Sequence, residues 1–248
     1  MNFPNESNGY RAARNKLLNA EKALRSKVEA VAALRRKLPA GGAVPEDYVF
    51  EGIGGAAQLS ELFGSHDTLL AYSFMYGPKM AQACPMCTSM LDGLNGNAPH
   101  IAQRASLVVI ARSPIERIQE FAQQRGWTKL RLLSSAGNSY NRDYFGEGPE
   151  ENQMPMLNVF VKRGGKIRHF WGTELLFAKS APGQHPRHVD AIWSFWNALD
   201  LTPEGRGKDW YPKLEYRDIR DLKGMIPKPA KPVREEDMNK AVRRRAVR

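Results

Sequence analysis

The sequence predicts an α/β fold, a mixed sheet flanked by helices, with a long amphipathic helix ahead of it and a basic tail behind. Three observations carry that expectation. Apolar runs of strand length alternate with segments of helical period. Late in the chain a pair of glycines separates two strand-like runs, which calls for an antiparallel hairpin. With 248 residues, 42% of them apolar, the chain can bury one substantial core, whereas two full domains would be a tight fit.

From the N-terminus, Tyr10, Ala13, Leu17, Ala20, Leu24, Val28, Val31 and Leu34 recur every three or four positions among Lys and Arg. One helix over 10–37 follows, ended by Pro39 and Gly41-Gly42, and roughly 40 Å long at ~1.5 Å per residue. That exceeds what a domain of this size needs internally, so the helix lies across the domain or pairs with a second copy, making a homodimer a candidate assembly. Residues 47–51 read as a short strand, 59–63 as a turn of helix, and 68–75 as a buried strand that delivers the chain to two cysteines. Residues 106–111 have the unbroken apolar character of a central strand covered on both faces. Ser113-Pro114-Ile115-Glu116 opens a helix, with Ser113 as cap and Pro114 in the first turn, and Gly126 ends it. A strand over 129–133 leads into a polar excursion over 134–153. Residues 156–161 and 166–171 form the hairpin around Gly164-Gly165, and a last helix follows Pro186, with Val189, Ile192, Trp193, Phe195, Trp196 and Leu199 available to pack. The expected parts are therefore the helix within 1–40, an α/β domain over 41–202, and an extension over 203–248 that is disordered from about 227, where Pro and charge dominate.

The formal charge of +11 is confined to the two ends. Residues 1–37 hold nine Lys/Arg against three Asp/Glu, and 224–248 hold eight against three, while 38–223 balance at twenty of each sign. A basic groove within the domain is thus not indicated, and a nucleic-acid partner is not expected. Nothing in the sequence is apolar enough over sufficient length to span a bilayer, and residues 1–9 contain no hydrophobic signal segment. The expected setting is cytoplasmic, without a membrane partner.

Both cysteines of the chain fall within Cys84-Pro85-Met86-Cys87, so they supply no disulfide framework across the fold. Their role is local. With Cys84 at the start of a helix, unsatisfied N–H groups and the macrodipole favour its thiolate, and Pro85 in the first turn needs no donor. Cys87 lies a turn deeper on the same side, placed to attack a mixed disulfide formed at Cys84. Half of a zinc site, or two buried apolar thiols, would present the same pair. No second cysteine pair exists, and none of His66, His100, His169, His185 or His188 stands at a recognisable zinc spacing. Met75, Met80, Met86 and Met90 could cage a soft ion such as Cu(I), although methionines also fill irregular core gaps. His100 reads as a capping residue and His185 and His188 as flanks of the last helix.

Residues 68–94, the hairpin over 154–171 and the terminal helix together resemble the thioredoxin superfamily. More narrowly, residues 47–52, Tyr72-Ser73-Phe74-Met75-Tyr76-Gly77-Pro78, the Cys-Pro-Met-Cys and residues 91–96 resemble bacterial domain-of-unknown-function family 899, whose members are thioredoxin-like. The resemblance covers roughly residues 10–202. It implies that Met154-Pro155 opens a hairpin strand with a cis bond, that Pro155 faces the cysteines, and that Met154, Pro85 and Met86 contact substrate. Several residues depart from the wider superfamily's patterns. The strand over 68–75 lacks a carboxylate to act as buried proton acceptor, Ala83 replaces a Trp before the motif, and Ala81 replaces the Thr of peroxiredoxins.

The resulting expectation is a thiol–disulfide oxidoreductase with Cys84, Cys87 and Pro155 as its working residues. It acts on a protein or small-molecule disulfide, is recycled by an unidentified thiol reductant, and needs no cofactor. The alternatives are a copper- or zinc-binding module and a non-catalytic interaction protein on the same fold.

Overall fold

In a computed structural model of the chain, residues 2–207 and 210–214 are described. Met1–Pro212 forms one compact unit and Lys213–Arg248 a second, and the segment 227–248 expected to be disordered lies outside the described residues. The residues just past 202, expected to belong to the extension, are part of the first unit. Arg206 is buried and its guanidinium bridges Asp190 and Asp200, each at 2.7 Å, which fixes them there. No helix among the described residues is long and apolar enough to cross a membrane.

Seven strands form one sheet in the order β2-β1-β5-β4-β3-β6-β7. Within it β3 (Thr68–Ser73) pairs in parallel with β4 (Ser106–Ala111) and antiparallel with β6 (Met156–Arg163). β4 pairs in parallel with β5 (Arg131–Ser134), and β6 turns back into β7 (Lys166–Gly172). This arrangement is the thioredoxin-like sheet. The two residues of the β6–β7 turn, Gly164 and Gly165, both have positive φ, 55° and 73°, which suits the turn to the twist of the strands it joins. An additional hairpin, β1 (Val49–Gly52) and β2 (Gly55–Gln58), caps the β5 edge through Glu51 and Ser134. The sequence expectation contained β1 but not β2, whose Gly-Ala-Ala-Gln lacks β-branched and aromatic residues.

Alternation along β3 divides the interior. Leu69 and Ala71 face an aromatic core with Tyr48, Phe50, Phe63, Tyr140, Tyr144 and Phe160. Edge-to-face pairs stitch it together, Tyr144 on Phe160 at 4.8 Å and Phe50 on Tyr140 at 5.2 Å, each contributing about 0.5–1.5 kcal/mol beyond burial. Leu70 and Tyr72 face the opposite way, toward α2 (Pro85–Ile101). The next helix, α3 (Ile115–Arg125), starts after Pro114 and ends at Gly126, whose φ of 70° terminates it. Ser113 does not cap it as expected; its Oγ lies 3.3 Å from Arg117 Nη1 instead. The excursion between β5 and β6 contains one short helix, α4 (Tyr140–Asp143), and a bridge between Glu147 and Gln153.

The last helix is shorter than its apolar spacing suggests. α5 spans only Ser194–Leu199, because Arg187 sits in the left-handed region at φ 49° and Trp193 is extended. Residues 185–193 are therefore turns and irregular backbone, and His185, His188, Val189 and Trp193 line the cavity that the cysteines also border.

The long helix forms as expected. α1 (Asn8–Arg36) is capped by Ser7, whose hydroxyl accepts the Tyr10 N–H at 3.1 Å, and it ends on Arg35 and Arg36, favourably placed for the helix dipole. Its C-terminal end touches the domain through Arg35, 5.3 Å over the Trp171 ring, and Gly41 passes so close to the His169 carbonyl that no β-carbon fits there. None of its 29 residues is buried; Leu24 and Leu34 are 64% and 66% exposed. Self-association through this apolar stripe would cover it. Removing residues 1–38 should then lower the mass found by light scattering from that of a dimer to that of a monomer. The same mass with and without the helix excludes the stripe as the contact.

Candidate functional site

The backbone geometry of the site begins at the end of β3. Ser73 pairs with Met156, and continuing that antiparallel register brings the chain past Phe74 alongside Pro155. The loop over 74–83 then returns so that the Cys84 N–H donates to the Met75 carbonyl at 3.1 Å. Arg117 of α3 holds this loop. Its guanidinium donates to the carbonyls of Gly77 (3.1 Å), Ala81 (3.3 Å) and Met80, and lies 4.3 Å over the Tyr76 ring. One charged fork thus ties down the approach to the motif.

Cys84 is the N-cap of α2, with extended φ/ψ of −60° and 122°, and Pro85 follows in the first turn. The Cys84 sulfur accepts the Cys87 N–H at 3.4 Å, while its carbonyl accepts the Thr88 N–H at 3.0 Å and the Thr88 hydroxyl at 2.9 Å. The cap is therefore a sulfur where helices usually place an oxygen. Hydrogen bonding from the Cys87 thiol holds the Cys84 thiol below its ordinary range, helped by backbone N–H groups and opposed by burial. Cys87 moves the other way, raised by its bond to Cys84, by burial and by the Cys84 charge; the Tyr72 hydroxyl partly opposes this. Two thiols three residues apart are thereby made unequal.

Both cysteines are nevertheless covered, Cys84 to 7% and Cys87 to 3% exposure. They open into a cavity of about 60 Å3 lined by Tyr72, Met75, Met86, Met90 and Pro155 on one side, and by His185, His188, Trp193, Trp196 and Tyr211 on the other. Pro155 borders this cavity together with both cysteines. Its bond to Met154 is not cis: the described residues contain no cis peptide. Trans is the intrinsically preferred form of an X–Pro bond, by about 0.5–1 kcal/mol. Upstream, the Met154 N–H donates to the Gly146 carbonyl at 3.0 Å beside the Glu147–Gln153 bridge. The same bond occupies the Met154 N–H. Met154 does not line the cavity, Pro85 is half-buried at the helix start, and Met86 is exposed at the rim.

The sequence did not single out Tyr72, Trp193, Trp196 or Arg117. His185 and His188, read as bystanders, border the cavity, and burial holds His188 below the ordinary imidazole range, which keeps it neutral near pH 7. His100 lies elsewhere, on a separate cleft. Among the described residues no three His, Cys, Asp or Glu side chains gather closely enough to hold a metal.

Residues 2–221 match the family described as "Bacterial protein of unknown function (DUF899)". The chain belongs to this family. No curated protein matches its sequence. Among solved structures it is similar to the peroxidoxin BcpB of Mycobacterium tuberculosis, at 22% identity and a TM-score of 0.42, over 65% of this chain and 98% of that one. It is also similar to a cysteine-to-serine mutant of Xylella fastidiosa PrxQ, at 15% identity and a TM-score of 0.42, over 65% and 96% of the two chains. A putative thiol:disulfide interchange protein DsbE from Chlorobium tepidum aligns at 20% identity and a TM-score of 0.37, over 54% and 86%. At these identities and scores, no activity carries over to this chain.

Two measurements follow from the site's chemistry. The pH midpoint of Cys84 alkylation should lie below the free-thiol value of about 8.5, because hydrogen bonding to its sulfur outweighs the opposing effect of burial. A rate still rising through pH 8.5 shows an unperturbed thiol. Arg117→Ala should lower unfolding stability by about 2 kcal/mol, as the carbonyls of the loop lose a charged donor. An unchanged urea midpoint shows that the loop is held by other contacts.

Proposed function

We propose that the protein is a thiol–disulfide oxidoreductase in which Cys84 is the nucleophile and Cys87 the resolving thiol. The observation that carries this reading is the Cys84 sulfur at the N-cap of α2, accepting the Cys87 N–H while its thiol is held below the ordinary range. The Cys84 thiolate attacks a protein or small-molecule disulfide, forming a mixed disulfide and releasing one substrate thiolate. Cys87 then attacks the Cys84 sulfur as its proton passes to the departing side. The substrate leaves as two thiols, and the protein holds a Cys84–Cys87 disulfide, two electrons poorer. An external thiol reductant restores the dithiol.

Tyr72 supports the second step. It is the one polar side chain that the strand under the motif places in the cysteine cavity, where a carboxylate is lacking. Its buried phenol stays protonated and favours the Cys87 thiolate as it forms.

A second reading, an interaction protein with inert thiols, is favoured by the coverage of both sulfurs and by the trans bond at Pro155. Reaction with 5,5′-dithiobis(2-nitrobenzoate) separates the two. The native chain should release two equivalents of thionitrobenzoate and retain no adduct, Cys87→Ser should retain one aryl adduct by mass, and Cys84→Ser should react slowly. Thiols that react only after unfolding favour the interaction reading, and the reverse order of the two variants exchanges the roles of the cysteines.

A further inference from the structure

A second opening lies on the other side of the wall formed by Tyr72, Met90 and Trp193, the three side chains it shares with the cysteine cavity. This cleft measures about 700 Å3, within the range of small-molecule sites. Its sides are α2, the edge of β3 and β4, and the stretch 190–197, and its surface is chiefly aliphatic, including Leu94, Ile101 and Leu107. Only one carboxylate, Asp190, borders it, and that group is engaged by Arg206 and Arg187. Arg104, just past the end of α2, also borders the cleft and makes no ion pair among the described residues.

The wall holds a further donor. Trp193 is 5% exposed, and its indole N–H has no acceptor among the described residues. A buried N–H left without a partner costs about 1–3 kcal/mol, so a shift of this wall that brings it to an acceptor is favoured. The cleft therefore combines an apolar body and an uncompensated cation, with an unsatisfied buried donor in the wall beside it.

We infer that this cleft binds a small amphipathic organic acid, its apolar body along α2 and its carboxylate toward Arg104. The inference does not rest on the redox reading, because neither sulfur borders the cleft.

Calorimetric titration of the full chain with decanoate and with decyltrimethylammonium, both below their micelle concentrations, tests it. Decanoate should saturate at one per chain and the cation should bind several-fold more weakly. Arg104→Gln should weaken decanoate about fivefold, the scale of one exposed charge pair. Leu94→Trp, which fills the cleft, should abolish binding, and the Trp193 indole N–H resonance, assigned through Trp193→Phe, should shift as decanoate is added. Non-saturable uptake, equal binding of the cation, or an Arg104→Gln affinity equal to that of the native chain overturns the proposal. Arg104 is exposed, so its variant remains informative even if Leu94→Trp does not fold.

Discussion

Everything at the candidate site depends on β3 being paired along both edges. A strand inside a sheet has little water for its N–H and C=O groups, so its neighbours must supply their partners. β4 does so in parallel and β6 antiparallel, and the two registers together fix where residue 73 ends and which way the chain leaves. The loop to Cys84 inherits that direction. Arg117, by donating to several carbonyls of the loop at once, converts it from a tether into a fixed mount for α2.

Opposing forces act on the sulfurs, and their balance differs over three residues. Burial favours the neutral thiol at both. At Cys84 the hydrogen bonds from the Cys87 thiol and from N–H groups in the first turn prevail, whereas at Cys87 the donated bond and deeper burial act together. A helix start alone is worth about 0.3–1 kcal/mol at an exposed position, so the macrodipole cannot account for the asymmetry by itself. The neighbouring thiol is the larger influence, and the inequality of the pair belongs to its reduced form.

How much of this was legible in the sequence depends on the range of the interactions. The Cys-Pro-Met-Cys, its place at a helix start and the Gly164-Gly165 turn are local chemistry, and the structure places them where their residue types imply. Pro155 required the register of β6, which the family resemblance supplied, whereas its bond keeps the trans form that X–Pro peptides intrinsically prefer. Tyr72 looked like one apolar strand residue among several, since only pairing with Leu157 decides which face it takes. Trp193 carried the period of a helix and became part of a wall, because Arg187 and Trp193 itself adopt conformations that a helix excludes.

The order in which these parts leave the ribosome has its own consequence. β3 and the cysteines precede their antiparallel partner β6, and the covering residues 185–196 follow later still. Until then β3 lacks one edge and the dithiol lacks its cover, a non-local arrangement that is slow to close. The nascent chain therefore shows its sulfurs to the surrounding redox pool before the finished protein encloses them. Their oxidation state at birth is set by the compartment of synthesis, ahead of any partner the folded site selects.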